Sequence, residues 1–374
     1  MAGASHPPPR ILLLAGEASG DLHGAHLAKA LTGILPGVKL EGTGGAQMRA
    51  EGVELLAGLD DLAVMGFVEV LSRLPFFWKL ERRVKTRLRS GEVDLVIAID
   101  YPGFNLRMVE AAHELGIPSI FYIAPQVWAW KRGRAARLAE ACDRIAVILP
   151  FEEEIFRAEG GEAEYVGHPL LDRDEELPDR AHFCRAHGLD PDRPILALFP
   201  GSRSQEIRRH LDPFLETARR LARLRPELQV ALAQAPEVTL PDGPEIHVPE
   251  GRVLLHHAHL ALVKSGTTTL EAALEGVPFV VAYRTHPITW RIARRLVRVD
   301  HIALANLVAG RGVVPEFLQD EATPDQLVPA LLSLHANGPE RRQVMEGLAG
   351  VRERLGSPGA ARRVARMAAE VLES

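Results

Sequence analysis

Short apolar runs alternate with longer runs of helical periodicity from one end of this 374-residue chain to the other. That alternation admits few architectures. Strands joined by helical crossovers pair in parallel, and helices then cover both faces of the sheet. In the first half the strand candidates are Ile11 to Leu14, Lys39 to Gly42, Leu95 to Ile99, Ser119 to Ile123, Arg144 to Ile148 and Ala163 to Val166. In the second they are Ile195 to Phe199, Val230 to Ala233, Ile246 to Val248, Leu260 to Val263 and Phe279 to Ala282. Between the two sets, the polar, proline-marked stretch Asp172 to Asp179 has the composition of a linker. The expected fold class is α/β, with two Rossmann-like domains whose mostly parallel sheets face a central cleft. Residues 1–175 form the first domain and 180–344 the second, and a helical segment at about 345–374 can pack back on the first. A chain of this length exceeds what one hydrophobic core normally serves.

Composition narrows the function classes. With 47% hydrophobic and 25% charged residues the chain reads as globular, and a formal charge of -5 argues against a general nucleic-acid partner. Two cysteines, Cys142 and Cys184, are too few for a disulfide framework or a zinc site, and no His, Cys, Asp and Glu cluster has metal spacing. No metal and no other cofactor is expected. Met1 to Pro9 lacks the basic segment of a secretory signal, and no stretch approaches the roughly 20 apolar residues of a membrane span. A cytoplasmic setting fits. Three basic runs remain to be explained, at Arg82 to Arg89, Lys131 to Arg137 and Arg291 to Arg298. Singly each suits a solvated helix face; together they favour an anionic ligand or membrane surface.

Two glycine and hydroxyl turns carry the chemistry of the second half. Gly201-Ser202-Arg203 follows the strand ending at Phe199, and Ser265-Gly266-Thr267 follows the strand ending at Val263. Each opens a helical run at the carboxyl end of a strand, where backbone N–H groups are free and glycine lets an anion come close. Arg203 adds a bidentate cationic fork. Glu271 falls one helical turn after Thr267, in position to accept both hydroxyls of a ribose. Asn306 precedes another glycine turn and suits either a cap or a hydrogen bond to ligand.

In the first half, Ala15-Gly16-Glu17-Ala18-Ser19-Gly20-Asp21 joins the first strand to a helix. Ser19 or Asp21 can equally be its N-cap, whereas Glu17 is harder to explain as one. Asp100 ends the strand Leu95 to Ile99 before a proline and glycine turn, where partial burial would raise its pKa toward that of a general base. A turn-capping role explains it as well. Ala124-Pro125-Gln126-Val127-Trp128-Ala129-Trp130-Lys131 sets two tryptophans beside a basic run, which suits a sugar or amphiphile. The most apolar stretch, with Val64, Met65, Phe67, Val68, Leu71, Phe76, Phe77 and Trp78, adjoins the basic run at Arg82. An interfacial segment that meets acyl chains and anionic headgroups needs both blocks; a buried helix accounts only for the first.

These segments resemble, in order and nearly end to end, the lipid A disaccharide synthases, inverting glycosyltransferases of GT-B architecture. The likeness rests on AGEASGD from Ala15, GTGGAQM from Gly42, AVMGFVEVL from Ala63, IDYPGFN from Ile99, APQVWAWK from Ala124, LPFE from Leu149, YVGHPLLD from Tyr165, PGSRSQEI from Pro200, KSGTTTLE from Lys264, VAYR from Val281 and NLVAGR from Asn306. Family members often carry a second Asp at the place of Gly103, which leaves Asp100 as the carboxylate of that turn. The resemblance implies transfer of 2,3-diacylglucosamine from UDP to 2,3-diacylglucosamine 1-phosphate without a metal, at the inner-membrane surface and in contact with its lipids. Asp100 or Glu17 would then be the base, with Ser19, Gly201, Ser202, Arg203, Ser265, Gly266, Thr267, Glu271 and Asn306 binding substrate; a homodimer is left open.

Three other readings share parts of the pattern. An NAD-dependent oxidoreductase should show the glycine fingerprint in its first strand-to-helix turn, which is absent. A UDP-sugar epimerase would keep the two turns without needing the apolar-basic block. A non-catalytic, membrane-associated nucleotide-sugar binding module would tolerate Asp100→Asn.

Overall fold

The computed structural model describes residues 7–59, 74–128, 133–173, 175–234, 246–287, 289–291 and 300–374. The chain divides into two compact units, Met1–Arg173 with Ser357–Ser374, and Asp174–Gly356.

In the first unit, strand β1 (Arg10–Ala15) is apolar almost throughout and buried on both faces, as the centre of a covered parallel sheet requires. Around it lie β2 (Lys39–Gly44), β3 (Glu54–Gly58), β4 (Leu95–Ile99), β5 (Ser119–Tyr122), β6 (Arg144–Val147) and β7 (Ala163–Tyr165). Their order is β3-β2-β1-β4-β5-β6-β7, and every pairing is parallel. The crossovers carry α1 (Ala18–Ile34), α2 (Ala46–Ala50), α3 (Leu74–Leu88), α4 (Pro102–Glu114), α5 (Gly133–Ala141) and α6 (Glu152–Arg157). Helix α3 illustrates the patterning: Leu80, Val84 and Leu88 recur at four-residue intervals and are buried, while Arg82 and Arg83 face solvent.

The second unit begins with α7 (Arg180–His187), which Asp179 caps by accepting the His182 N–H at 2.8 Å. Its sheet has β8 (Ile195–Phe199), β9 (Gln229–Ala233), β10 (Ile246–Val248), β11 (Leu260–Lys264), β12 (Phe279–Tyr283) and β13 (Glu316–Leu318). The order is β10-β9-β8-β11-β12-β13, again parallel throughout. Helices α8 (Ser204–Leu224), α9 (Gly251–His257), α10 (Thr268–Leu274), α11 (Leu304–Ala309), α12 (Pro324–His335) and α13 (Pro339–Leu355) pack around it.

The C-terminal helical segment is two helices that belong to different units. Helix α13 ends at Gly356 with φ 72, and the chain resumes after Gly359 with φ 108, both left-handed conformations that favour glycine. Helix α14 (Ala360–Glu373) then joins the first unit, where Val364, Ala365, Met367 and Ala368 share a core with Ile11, Leu13, Leu27 and Leu31. Full burial of a side chain such as Val364 or Met367 contributes roughly 1.5–3 kcal/mol, and of an alanine methyl less, so α14 is an integral part of the first core. Its start is tied down by Asp172, which accepts the Gly359 and Ala361 N–H groups, and by Arg363, whose Nε donates to the Val166 carbonyl at 2.6 Å.

Strands β3 and β13 were not expected from the sequence. Both lie at sheet edges, with Glu54 exposed and their other residues only half-buried. An edge strand has one neighbour, so it lacks the unbroken apolar run that marks the central strands.

Candidate active site

Strands β1 and β4 are distant in sequence but hydrogen-bonded neighbours, with Ala15 opposite Ile99. From β1 the chain goes to β2 on one side, and β4 lies on the other. That reversal of strand order is where open α/β sheets bind ligands, beyond the carboxyl ends of the strands. Glu17 follows β1 there and Asp100 follows β4. Burial pushes the Asp100 carboxyl up to about 6, the Glu17 carboxylate pushes it the same way, and a hydrogen bond from the Tyr101 backbone opposes them.

The backbone at this point is strained. Asp100 and Tyr101 have φ of 48 and 49, and Ile123, just after the neighbouring β5, has φ 62. Residues other than glycine avoid this region, most of all β-branched ones, and such strain gathers at functional sites. What holds the turn is Asn105, a buried residue whose Nδ2 donates to the carbonyls of Leu14 at 3.0 Å, Ile99 at 3.1 Å and Asp100 at 2.7 Å. One amide thus ties the ends of β1 and β4 together. Gly16 is required by the same packing, because a Cβ there would run into the Tyr101 ring. Asn105 stands in the IDYPGFN segment, yet nothing in the sequence showed that its partners come from two strands.

Other residues of the first turn divide into two roles. Glu17 occupies the N-cap position of α1 with its own side chain making no capping bond, and it and Ser19 are exposed. Neither Ser19 nor Asp21 is that cap. Asp21 instead is buried and accepts the N–H groups of Gly45 at 2.7 Å, Gln47 at 3.1 Å and Met48 at 3.0 Å, so it caps the start of α2 from a distance. The second glycine turn is thereby fastened to the first.

Beyond β5 and β6 lies a pair that sequence reasoning missed. The Trp128 indole N–H donates to Glu152 Oε1 at 3.0 Å, and the Leu149 N–H donates to Glu152 Oε2 at 3.1 Å. Burial pushes this carboxyl up to about 7 against those hydrogen bonds. Trp128 also meets the Phe151 ring edge-on at 5.4 Å. Of the apolar block, Val64, Met65, Phe67, Val68 and Leu71 lie outside the described residues, as do Trp130 and Lys131. Phe76, Phe77 and Trp78 fall in α3, with Phe76 half-buried against the core and Trp78 65% exposed. In the adjoining basic run Lys85 is paired with Glu81, and Arg87 with Glu41 and Glu92, which leaves Arg82, Arg83 and Arg89 facing solvent.

In the second unit β8 and β11 are likewise neighbours at the reversal of strand order. The turns Gly201-Ser202-Arg203 and Ser265-Gly266-Thr267 therefore emerge side by side. Gly201 has φ 130, and Arg203 stands at the N-cap of α8, exposed. Thr267 is exposed at the start of α10, and the Glu271 N–H bonds to its carbonyl at 3.1 Å, which places Glu271 one turn along the same helix. Lys264 Nζ pairs with Glu206 at 2.8 Å and links the two turns. His210 steadies the neighbouring loop: its Nε2 accepts the Arg284 N–H at 2.8 Å, so Nδ1 carries the proton donated to the Glu206 carbonyl at 2.7 Å.

Two expectations change here. Asn306 does not face a ligand: it is fully buried, donates to the Val314 carbonyl and to Glu316, and accepts the N–H groups of Val313 and Val314. All of its hydrogen-bonding capacity is used inside the unit. Glu316 in turn accepts the Ile302 and Ala303 N–H groups, and the Ile302 carbonyl accepts the Ser265 hydroxyl at 2.7 Å. Ser265 accordingly has its hydroxyl proton committed to the chain. Asn306 acts on that turn through Glu316, at second hand.

Residues 11–365 match the sequence model of the family described as lipid-A-disaccharide synthetase. The chain belongs to the lipid-A-disaccharide synthase family. It is 41% identical to the lipid-A-disaccharide synthase of Syntrophotalea carbinolica, over 97% of this chain and 96% of that one. Against the Coxiella burnetii synthase the identity is 38%, over 96% and 97%. Among solved structures, the kitacinnamycin glycotransferase superposes with a TM-score of 0.66 at 18% identity, covering 98% of this chain and 100% of that one. A putative UDP-N-acetylglucosamine 2-epimerase from Listeria monocytogenes gives 0.68 at 14%, covering 98% of each. At such identities these two establish the GT-B fold alone. Family membership carries the activity: this synthase is a glycosyltransferase of lipid A disaccharide synthesis, and its substrates are sugar-lipid precursors of lipid A. Among the described residues no helix is long and apolar enough to cross a membrane.

Proposed function

We propose that the enzyme transfers 2,3-diacylglucosamine from UDP to the 6-hydroxyl of 2,3-diacylglucosamine 1-phosphate, with Asp100 as the general base. The acceptor hydroxyl gives its proton to Asp100 as its oxygen forms a bond to the anomeric carbon of the donor. The bond from that carbon to the β-phosphate oxygen breaks on the opposite face, its electron pair leaves with UDP, and the configuration inverts. The observation that carries this reading is the Asp100 carboxyl raised to about 6 at the strand-order reversal, because a base that titrates near neutrality is both free of its proton and basic enough to take another. Glu17 supports it by disfavouring a second negative charge beside its own.

The turns Gly201-Ser202-Arg203 and Ser265-Gly266-Thr267 hold the departing diphosphate. Arg203 supplies the bidentate charge and the backbone N–H groups the rest, so stabilisation of the leaving group comes from the chain and transfer proceeds with chelator present. Glu271 accepts the ribose hydroxyls. On α3 the exposed Trp78 stands one turn from the exposed Arg82, an apolar and a cationic group on one face, which suits peripheral binding to the anionic inner-membrane surface where both lipid substrates lie.

The test is to incubate the enzyme and the Asp100→Asn variant with both substrates and a chelator. Wild type should release UDP and disaccharide in equal amounts, while the variant binds UDP as well as wild type yet turns over about a hundredfold or more slowly. Disaccharide formation only on addition of metal, or full turnover by the variant, would sink the mechanism. Conversion of the UDP-sugar to its epimer with no acceptor present would favour the epimerase reading.

A further inference from the structure

The first of the two turns already holds an anion, and that anion is part of the chain. Glu206, in the first turn of α8, accepts the Ser202 N–H on Oε2 at 3.2 Å and the Lys264 ammonium on Oε1 at 2.8 Å. Both side chains of the ion pair are only 18% exposed. The carboxylate lies directly on the turn: a Cβ added to Gly201 would sit 2.6 Å from Glu206 Cβ and 2.7 Å from Oε2. Lys264 is the last residue of β11, next to Ser265, so one carboxylate ties the first turn to the end of the strand from which the second turn emerges. Burial pushes the Glu206 carboxyl up, but the Lys264 hydrogen bond and charge, the Ser202 N–H and Arg203 outweigh it and hold it below the usual range. It is an anion at neutral pH.

We propose that Glu206 is a built-in competitor for the donor diphosphate, which occupies donors that the phosphates need and speeds the departure of UDP after transfer. The inference rests on the reading of the two turns as the diphosphate site. Its chemistry lies in the difference between substrate and product. The donor carries a phosphodiester at its terminal phosphate, with one negative charge. UDP ends in a free phosphate, which gains most of a second charge at neutral pH because its second ionisation lies near pH 6. A fixed carboxylate among these groups therefore repels the product more than the substrate. Lys264 keeps that repulsion moderate by neutralising Glu206 when the site is empty, and its two remaining N–H donors serve the phosphates when the site is filled.

The experiment measures the inhibition constant of UDP, the KM of the donor and the affinity for uridine in wild type, Glu206→Gln, Lys264→Met and the double variant. Glu206→Gln should bind UDP about fivefold tighter, with donor KM falling by a smaller factor of about twofold. Lys264→Met, which leaves the carboxylate uncompensated, should weaken UDP by about tenfold, and the double variant should fall between the two; these are the sizes of effect that one partly screened charge exerts on another a few ångströms away. Uridine, which lacks phosphates, should bind all four alike. An unchanged or weaker hold on UDP in Glu206→Gln, an equal gain for UDP and donor, or parallel losses for uridine would overturn the proposal. Arg203→Ala separates the two levels of the argument. Should it leave UDP binding intact, the turns are not the diphosphate site; should it weaken UDP while Glu206→Gln does not tighten it, only the competitor is refuted.

Discussion

Asp100→Asn should make the protein more stable while it slows turnover about a hundredfold or more. In the fold the Asp100 carboxyl titrates at about 6 against an ordinary 3.8, because burial and Glu17 disfavour its charge. A difference of that size corresponds to about 3 kcal/mol of strain on the ionised form. Asn removes the charge, and it tolerates the left-handed φ of 48 at this position better than most residues. It also weakens the hydrogen bond from the Tyr101 backbone, so the expected gain is about 1–3 kcal/mol at pH 8. The sign follows from linkage. A carboxyl with a raised folded pKa binds its proton more tightly in the native state, so its penalty is full above about pH 6, shrinks as pH falls, and is gone below 3.8, where native and unfolded chains are both protonated. Urea unfolding of the two proteins at pH 8, 6 and 4 is the assay. With a slope of about 2 kcal/mol per molar urea, the variant midpoint should lie about 0.5–1.5 M higher at pH 8 and close to wild type near pH 4. A midpoint at or below wild type at pH 8, or a gain that persists undiminished at pH 4, would refute the claim that Asp100 is held ionised against its environment.

Three further outcomes follow from the same geometry. Glu17→Gln removes the second influence on Asp100 and leaves burial in place, so the acidic limb of the kcat/KM profile should move to lower pH without reaching the ordinary carboxylate range; a limb that stays put or moves up would contradict the coupling. Asn306→Ala strands buried groups on Val313, Val314 and Glu316 and should cost about 2–4 kcal/mol in unfolding experiments; uridine affinity lost with no loss of stability would mean that Asn306 touches ligand after all. Trp128→Phe withdraws the indole N–H from Glu152, whose carboxyl already sits at about 7, so that pKa should rise further and thermal stability should drop most above neutrality; a loss equal at pH 5 and pH 9 would argue against the carboxylate as the cause.

The central strands were legible because a strand covered on both faces must be apolar along its length, as Ile11 to Leu14 and Leu95 to Ile99 are. Strands β3 and β13 were not, since Glu54 and Glu316 interrupt their short apolar runs, although β7 and β10, which are also edges, were expected. Turn chemistry was legible where it depends on local residue types, as at Gly201-Ser202-Arg203. It misled at Asn306, whose place before a glycine turn said nothing of the carbonyls and N–H groups that would surround it. Asn105, Glu152 and Lys264 were passed over for the same reason: each matters through a partner far away in sequence.

By itself the sequence determined the α/β class, the strands that build its sheets, the two anion-suited turns and, through ordered motifs, the family. Those are properties of local pattern, set by which residues tolerate burial and which free the backbone. Only the tertiary structure decided that Asp100 and Glu17 share one strand-order reversal, that Lys264 meets Glu206 across the two turns, and that α14 completes the first core. Each depends on which strands and helices become neighbours, and hence on how the whole chain buries its apolar surface.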